Sequence, residues 1–335
     1  MGKLFLKKFL ILANSVFLVL QLISMRALGG YIEIPLLSLA VPLLCLVNIF
    51  FFIFWLLRFE WPVFLFLFSV LISYPEWQML YQFSDNGIKT TKGLSVMSYN
   101  VRSFNRFKWL EESDVAGSIE DFIVERAPDV ICFQEYAQRE APNLADYPYK
   151  IFKPYVKGGN IGSCIVSKYP LIHSESISFD GSQNGGMLSD LIWNTDTLRI
   201  YNMHFESFRL NKMDTLIANN SSDKIRLKLQ TIFDIQESQV EQFNALAKEN
   251  TRYPEIICTD LNNTAFSKAY QKIKQTRQDS FLEEGEGLGA TYTFSFLPMR
   301  IDFIFSSPSL QTIDYQTHQI KLSDHKPISV VLGKS

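Results

Sequence analysis

Side chains that can bind a metal ion or move a proton are concentrated in a few short motifs of this chain. In chain order these motifs are Tyr99-Asn100-Val101, Gln134-Glu135, Asn202-Met203-His204, Thr259-Asp260-Leu261-Asn262, Arg300-Ile301-Asp302 and Ser323-Asp324-His325-Lys326-Pro327. Carboxylate and amide oxygens are ligands for hard cations such as Mg²⁺, and histidine titrates near neutral pH. Together these residue types suit hydrolysis of an anionic ester, in which a metal neutralises charge and a base activates water.

The order and spelling of the motifs resemble the endonuclease/exonuclease/phosphatase superfamily, the DNase I-like enzymes. The resemblance extends from Leu94 to Leu332, and the motifs in order carry it, closed by Ser323-Asp324-His325-Lys326-Pro327. It implies an α/β fold: a four-layer DNase I-like sandwich of two mixed β-sheets flanked by helices. It also implies a metal-dependent hydrolase that acts on phosphoric ester bonds.

The resemblance assigns three residues to a metal site. Glu135 is the first-choice ligand, Asn100 resembles the family amide that completes or orients the metal shell, and Asp324 resembles the family acid at or near the metal. A site with few carboxylates suits Mg²⁺, which keeps several waters; Mn²⁺ and Ca²⁺ are the alternatives.

Asp260 and Asn262 lie two residues apart, so on an extended segment both side chains face the same side. We expect Asp260 to orient or deprotonate the attacking water and Asn262 to donate to a phosphate oxygen of the substrate. Taken alone, the same two residues also fit an ordinary turn after a strand.

The histidine motifs complete the predicted site. Asp302 lies in an apolar run and needs a partner, so we expect it to hold His325 in one tautomer and favour its protonated form. His204 resembles a second active-site histidine that stabilises charge on the substrate phosphate or protonates the leaving group. Whether Asp260 or His325 is the base stays open. Arg300 either binds substrate phosphate or makes a structural ion pair.

Each motif ends or adjoins a short apolar run that is typical of a buried strand, such as Asp129–Phe133 or Glu255–Cys258. Polar residues at the ends of several buried strands can converge on one rim of a sheet. Helices are predicted over Ser118–Arg126 and Leu227–Glu249, where apolar residues recur at helical spacing.

The N-terminal part of the chain has a different composition. Three apolar runs, Phe9–Met25, Ile34–Leu57 and Trp61–Tyr74, precede the motifs, and a bilayer span needs about 20 apolar residues. We therefore predict a membrane anchor of two to three transmembrane helices over residues 1–83, a linker over 84–93 and the catalytic domain over 94–335. The first run alone would fit a cleaved signal peptide, but the further runs favour a retained anchor.

Positive charges predict the orientation of this anchor. Lys3, Lys7 and Lys8 favour a cytoplasmic start. Two spans would return the catalytic domain to the cytoplasm, whereas three would place it outside. We expect three, a multi-pass protein of a bacterial inner membrane with its catalytic domain on the exported side, released just above the bilayer by the polar linker.

The substrate is the least constrained prediction. The chain has a net charge of −2, and from Thr90 onward acidic side chains outnumber basic ones, which lowers the expectation of a nucleic-acid substrate. A membrane-anchored phosphodiesterase, including a nuclease, is the first hypothesis. A phospholipid, sphingomyelin or phosphoinositide phosphodiesterase or phosphatase is the alternative, and a non-catalytic binding protein on the same fold is the third. The expected partners are the lipid bilayer and a phosphate-ester substrate, either nucleic acid or phospholipid.

Overall fold

The computed structural model describes residues 2–26, 34–83, 92–208, 222–294 and 297–334. Most of the predicted linker over 84–93 lies outside these described residues. The chain begins with an N-terminal helical segment of five helices. They are α1 (Gly2–Arg26), α2 (Pro35–Leu39), α3 (Val41–Leu57), α4 (Val63–Ile72) and α5 (Tyr74–Leu80).

Within the described residues, α1 is the one helix long and apolar enough to cross a membrane. The second predicted span is divided at Ala40, because Pro42 lies in the first turn of α3, where proline is tolerated at the start of a new helix. The third, Trp61–Tyr74, contains α4 and ends at the first residue of α5, where the chain bends by 85°. At 1.5 Å per residue α1 rises about 37 Å and α3 about 25 Å, against a hydrocarbon core of about 30 Å. Helix length therefore does not support the predicted multi-pass topology.

The domain that the sequence predicts to be catalytic is built from two β-sheets and their covering helices. In chain order its strands and helices are β1 (Leu94–Asn100), α6 (Val115–Arg126), β2 (Val130–Ala137), β3 (Tyr149–Pro154), β4 (Ile161–Ser167), β5 (Leu171–Ser178), β6 (Gly185–Trp193), β7 (Asp196–His204), α7 (Ser222–Glu249), β8 (Glu255–Asp260), α8 (Lys268–Lys274), β9 (Gln278–Asp279), α9 (Ser280–Glu284), β10 (Tyr292–Phe294), β11 (Leu297–Met299), β12 (Asp302–Ser306), β13 (Leu310–Thr317) and β14 (Ile328–Lys334).

The first sheet has the order β13-β14-β1-β2-β4-β3, the second the order β5-β6-β7-β8-β12-β9, and β10 and β11 form a separate hairpin. Among the described strands, β1 with β2 and β7 with β8 are the parallel pairs, and each sheet has one. Parallel neighbours need a crossover connection, which α6 and α7 supply. Both strands of a parallel pair end at the same edge of the sheet, so Asn100 lies beside Gln134 and His204 beside Asp260.

Alternation along the strands divides the apolar residues into three layers. Every second residue faces the core between the sheets, as Val96, Ile200 and Ile256 do. The opposite face of the first sheet packs under α6, and that of the second sheet packs under α7 and α8. This is the four-layer sandwich of two mixed sheets flanked by helices that the sequence predicts. The predicted helices are present but begin earlier; α6 starts at Val115 because Asp114 accepts a hydrogen bond from the Gly117 amide as its N-cap.

The N-terminal helical segment is packed against the catalytic domain. Phe266, in the loop after β8, shares a buried cluster with Met25, Val41 and Cys45. Gln82 pairs with Gly287 through two backbone hydrogen bonds of 2.9 and 2.8 Å. We predicted a linker that releases the domain from its anchor. The structure instead shows contacts between residues that precede the linker and residues that follow it.

Candidate active site

Four of the predicted site residues are terminal residues of their strands and lie at one rim of the two sheets. Asn100 ends β1, His204 ends β7 and Asp260 ends β8, while Asp302 begins β12 and lies opposite Asp260 in the antiparallel register. Below them the inward-facing positions are first polar, as at Asn202, and then apolar, so these side chains form the polar edge of the core between the two sheets. The strand period of two and the shared edge of the parallel pairs bring them together.

Glu135 reaches the same place by a different route. Cys132 faces the inner core and Phe133 the outer layer, so strict alternation along β2 would point Glu135 outward, away from the site. A register shift between Phe133 and Tyr136 inserts an extra residue, and Glu135 adopts a positive φ of 48°. This bulge turns the carboxylate inward, where its Oε1 accepts a hydrogen bond from Asn100 Nδ2 at 3.1 Å. Left-handed backbone at a non-glycine residue is stored strain, which is concentrated at functional sites.

Asp260 lies at the centre of the cluster and is fully buried. Its Oδ2 accepts a hydrogen bond of 2.8 Å from Asn100 Nδ2, and its Oδ1 accepts one of 2.9 Å from the Asn262 amide. The Nε2 atoms of His204 and His325 lie 3.5 and 3.7 Å from Oδ2. Burial raises the pKa of Asp260 to about 6, although the nearby His325 opposes the shift. The carboxylate is thus poised to exchange a proton near neutral pH.

His325 and Asp302 form the predicted pair. His325 Nδ1 lies 2.9 Å from Asp302 Oδ2 and 3.1 Å from Oδ1, so with Nδ1 protonated the ring presents Nε2 to Asp260. Burial by itself lowers the pKa of His325, but the carboxylates of Asp302 and Asp260 together raise that pKa well above its usual value. The ring of Tyr292, with its centroid 5.2 Å away, packs beside the imidazole.

His204 is buried without a hydrogen-bond partner for either ring nitrogen among the described residues. Its Nε2 lies 3.6 Å from Glu135 Oε1 and 3.5 Å from Asp260 Oδ2, beyond good hydrogen-bond length. Burial lowers its pKa, with Asp260 acting against this. An imidazole left unsatisfied between two carboxylates is unfavourable in the free protein, and it leaves a donor or acceptor ready for a bound group.

The donor set fits a divalent cation. Ligand atoms of Asp260, Asp302 and His325 lie within 4.8 Å of one another. Because Asp302 and His325 already satisfy each other, the carboxylates of Asp260 and Glu135, joined through Asn100, are the oxygen donors left for a hard cation. Burial raises the pKa of Glu135, and the negative charge of Asp324 adds to this. Such an excess of buried negative charge is what a bound cation would relieve.

Two further predicted residues lie at the edge of the cluster. Asp324 is partly exposed, and its Oδ2 pairs with Arg102 Nη1 at 2.9 Å. Asn262 lies beyond the end of β8 with a φ of 52°, so the expectation that Asp260 and Asn262 share an extended segment is wrong. The turn arises because the Asp260 carboxylate accepts the Asn262 amide, and one N–H of the Asn262 side chain donates to the Phe205 carbonyl at 3.1 Å.

The substrate-binding prediction for Arg300 is not supported, and the structural alternative replaces it. Its guanidinium is buried, pairs with Asp279 at 2.7 Å, and lies over the rings of Phe281 and Phe303 at 4.3 and 4.7 Å. A buried cation needs a paired anion, and Asp279 meets that need within the fold.

A buried amide pair below the site was missed from the sequence. Gln134 Nε2 donates to Asn202 Oδ1 at 2.8 Å, and Asn202 Nδ2 donates to the carbonyls of Phe133 and Cys164 at 2.9 and 3.0 Å. These bonds tie the two sheets together directly under the catalytic groups. Gln134 belongs to the Glu135 motif and Asn202 to the His204 motif. An amide side chain at a core position of an apolar strand needs a buried hydrogen-bond partner, and this was the signal in the sequence.

Arg102 and Tyr155 were also missed. Arg102 follows the Asn100 motif, pairs with Asp324 and lies 4.4 Å from the Trp109 ring centroid. The Tyr155 hydroxyl accepts from the Glu135 amide at 3.1 Å, and its ring is 5.5 Å from that of His204. No motif marks Tyr155, because its place beside Glu135 depends on the pairing of distant strands.

The fold is similar to several solved structures. An endonuclease/exonuclease/phosphatase from Bacteroides vulgatus superposes with a TM-score of 0.57 at 16% identity, over 73% of this chain and 100% of that one. The human Nocturnin catalytic domain with bound sulfate gives 0.55 at 15% identity, over 77% and 98%. A mannosyl-6-phosphatase from Bacteroides thetaiotaomicron gives 0.54 at 16% identity, over 72% and 99%. At these identities the likeness concerns the fold.

Comparison with curated protein sequences finds no match. The profile of the Endonuclease/Exonuclease/phosphatase family, however, matches residues 97–325, which include every predicted site residue. Members of this family generally hydrolyse phosphoester bonds and typically use divalent metals. With its two mixed sheets and a polar cluster at their shared rim, this chain belongs to the Endonuclease/Exonuclease/phosphatase family.

Proposed function

We propose that this protein is a membrane-anchored, divalent-metal-dependent hydrolase that cleaves a phosphate ester with an activated water. One observation carries the proposal: the buried Asp260 carboxylate lies between the Nε2 atoms of two histidines and is bonded to the amide that also holds Glu135. Water activation, charge neutralisation and leaving-group protonation can all be performed from this one point.

Glu135 and Asn100 would hold the cation, with Asp260 and Asp324 adding negative charge beside it. A bound divalent cation supplies charge neutralisation at the phosphate. Tyr155 holds the Glu135 backbone through its hydroxyl, and Arg102 holds Asp324, so both acids have fixed positions before substrate enters.

Asp260 and His325 act as a coupled pair that orients the attacking water and takes its proton. Asp302 keeps Nε2 of His325 directed at this point by accepting from Nδ1. His204, which has no hydrogen-bond partner within the described part of the chain, contacts the substrate phosphate or the leaving oxygen. Asn262 lies beside Asp260 and has a second amide hydrogen with which to donate to phosphate.

The helical segment supports a retained anchor rather than a cleaved signal sequence. Asn48 Nδ2 donates to Gln21 Oε1 at 2.8 Å, and Trp55 Nε1 donates to Asn14 Oδ1 at 3.1 Å. These bonds join α1 to α3 in antiparallel order inside an otherwise apolar seam. Removal of α1 would leave polar atoms of α3 without partners in an apolar setting, which is costly.

The test uses the full-length protein in detergent, assayed for phosphate-ester hydrolysis with Mg²⁺, Mn²⁺ or Ca²⁺. We expect activity with metal and none in excess EDTA. Asp260→Asn should nearly abolish turnover with an unchanged circular dichroism spectrum, and Glu135→Ala should raise the metal concentration needed by about tenfold or more. Glu175→Ala, an exposed acid on β5, is the matched control and should behave as wild type. Full activity in EDTA would refute the metal-dependent mechanism.

A further inference from the structure

The N-terminal helical segment contacts the loops that carry the candidate site. Phe266 follows Asp260 and Asn262 in the same loop, and it is buried against Met25 of α1 and Val41 of α3. Arg300 precedes Asp302 in the same segment, and its Nη2 atom lies 3.5 Å from the carbonyl oxygen of Met79 at the end of α5. The helices therefore dock beside the site and not on a remote face of the domain.

The β10–β11 hairpin makes a second connection between the helices and the site. α3 packs against β11. Tyr292 in β10 forms an isolated bridge with His325, and the Thr291 carbonyl accepts from the Lys326 amide at 2.7 Å. One short hairpin thus touches the helical segment on one side and the catalytic histidine on the other.

Ion pairs mark the two ends of the helical segment. Lys7 pairs with Glu60 at 2.6 Å at one end, and Arg26 pairs with Glu76 at 3.2 Å at the other. From residue 9 to residue 25 α1 carries no charged side chain, and α3 and α4 carry none; several apolar side chains of these helices are exposed: Leu12, Phe50, Phe64, Phe68 and Leu71. Met25 and Val41, which dock on the domain, belong to the Arg26 end. A bilayer around the apolar part would have its surface at that end, next to the site.

A loop that borders the site also presents an apolar side chain between two basic residues. Phe107 is 71% exposed between Arg106 and Lys108, in the loop that follows β1 and carries Arg102. Arg102 reaches Asp324 at the site, so this loop borders it directly. An exposed aromatic ring next to basic side chains suits the boundary of a bilayer with anionic headgroups.

We infer that the site works at the bilayer surface and that its substrate is the phosphate ester of a lipid headgroup. This inference rests on the proposed hydrolytic function and adds the substrate class. Water oxygen bonds to phosphorus, the bond from phosphorus to one alcohol oxygen breaks, and that oxygen takes up a proton. The apolar part of the substrate stays in the membrane that holds the helices, so only the headgroup has to enter the site.

The first test compares the hydrolysis of one headgroup in two forms, as a lipid in a bilayer and as a soluble ester. Full-length protein is reconstituted into vesicles of phosphatidylcholine, phosphatidylethanolamine and phosphatidylglycerol with Mg²⁺, and hydrolysis of these lipids is compared with that of their water-soluble deacylated forms. We expect kcat/KM to be at least about tenfold higher for a lipid than for its deacylated form. Equal values, or hydrolysis of soluble esters alone, would overturn the inference and leave the proposed function standing. No hydrolysis of either kind would refute both.

A variant pair separates membrane contact from general damage. Phe107→Ser should lower the ratio of lipid to soluble hydrolysis several-fold. Ile172→Ser is the control. Ile172 is 59% exposed and lies near the start of β5, at the end of the sheet that is distant from His204. This variant should keep the wild-type ratio. The same ratio in both variants would count against contact of the Phe107 loop with lipid.

The second test needs no activity. The four cysteines of the chain are buried, so a nitroxide label can be directed to Phe107→Cys or Ile172→Cys in vesicles. We expect the label at 107 to be relaxed by oxygen dissolved in the bilayer and shielded from a water-soluble relaxation agent, and the label at 172 to show the reverse. Equal access of the aqueous agent to both labels would contradict the location of the site at the membrane surface.

Discussion

Asp260 cannot change its charge independently of its neighbours. It is buried within 4 Å of the imidazoles of His204 and His325, and Asp302 lies beside it on the neighbouring strand. Burial raises its pKa to about 6, whereas the pKa of His325 is raised well above its usual value by Asp302 and Asp260. Protons are therefore exchanged by the group as a whole, and a pH–rate profile reports values that belong to the group.

Asp302→Asn should move the limb of the pH–rate profile that belongs to His325 to lower pH. The Asp302 carboxylate favours the imidazolium, so a neutral amide removes that support and lowers the pKa of His325. The measurement is kcat/KM against pH for the full-length protein with Mg²⁺. Asp121→Asn, which changes an exposed acid on α6, is the control. Identical profiles for the two variants would remove Asp302 from the mechanism.

The Asp302–His325 pair also stabilises the folded protein, and this contribution depends on pH. Because the folded-state pKa of His325 is raised, its contribution is complete below the unfolded value of about 6.5 and is lost as pH rises through the folded value. The difference in thermal stability between wild type and Asp302→Asn should therefore shrink as the solution becomes alkaline.

At the scale of strands and helices, the site depends on how two sheets meet. The parallel pairs bring Asn100 and Gln134 to one edge and His204 and Asp260 to another, and the Gln134–Asn202 bond holds these edges together. The β2 bulge then brings in the carboxylate that alternation would have directed outward. The strand pairing and the bulge are backbone features, and the Gln134–Asn202 bond joins two buried side chains, so the positions of the candidate site residues depend little on surface loops.

Asn202→Ala should destabilise the catalytic domain without removing any group that touches substrate. The change leaves Gln134 and the carbonyls of Phe133 and Cys164 without their partner in a buried place. We expect a loss of about 2 kcal/mol in the free energy of unfolding, because each unsatisfied buried group costs about 1–3 kcal/mol. Thermal unfolding should show this as a fall in Tm of about 5 °C. Gln242→Ala, on the exposed face of α7, should leave Tm unchanged, and an equal Tm for both variants would contradict the role of this network.

At the scale of the whole molecule, the N-terminal helical segment is part of the structure that positions the site. Its Arg26 end carries the catalytic domain, and its Lys7 end is held by Glu60 on the far side of the apolar helices. The N-terminal lysines and the catalytic domain therefore lie at opposite ends of the helices.

The proposed anchor predicts that alkaline phosphatase fused after Ser335 is active, because Lys3, Lys7 and Lys8 favour a cytoplasmic location for their end and the globular domain lies at the other end. A fusion after Arg58, next to Glu60 at the Lys7 end, should be inactive and serves as the control. A silent phosphatase after Ser335, together with a bright cytoplasmic fluorescent protein at the same place, would show that the catalytic domain faces the cytoplasm.

Much of the site could be predicted because its signals are local. Short continuous apolar runs predict the buried strands, and polar residues at the ends of those runs mark Asn100, His204 and Asp260 as a shared edge. A lone acid in an apolar run needs a partner, and this predicts the contact of Asp302 with His325 that the structure contains. These inferences need only the burial of neighbouring residues and the chemistry of each side chain.

The remaining features depend on contacts between distant parts of the chain, which no local pattern encodes. Glu135 turns inward only because β2 and β4 pair with a bulge, and Arg300 is structural only because Asp279 arrives beside it from another strand. Phe266 could be read as one more core residue, yet its partners come from the N-terminal helices. Sequence determined which groups are available for chemistry and which segments are apolar. Tertiary structure decided which face each group takes, which ion pairs form and where the helices dock, because register, bulges and docking follow from the packing of the whole chain.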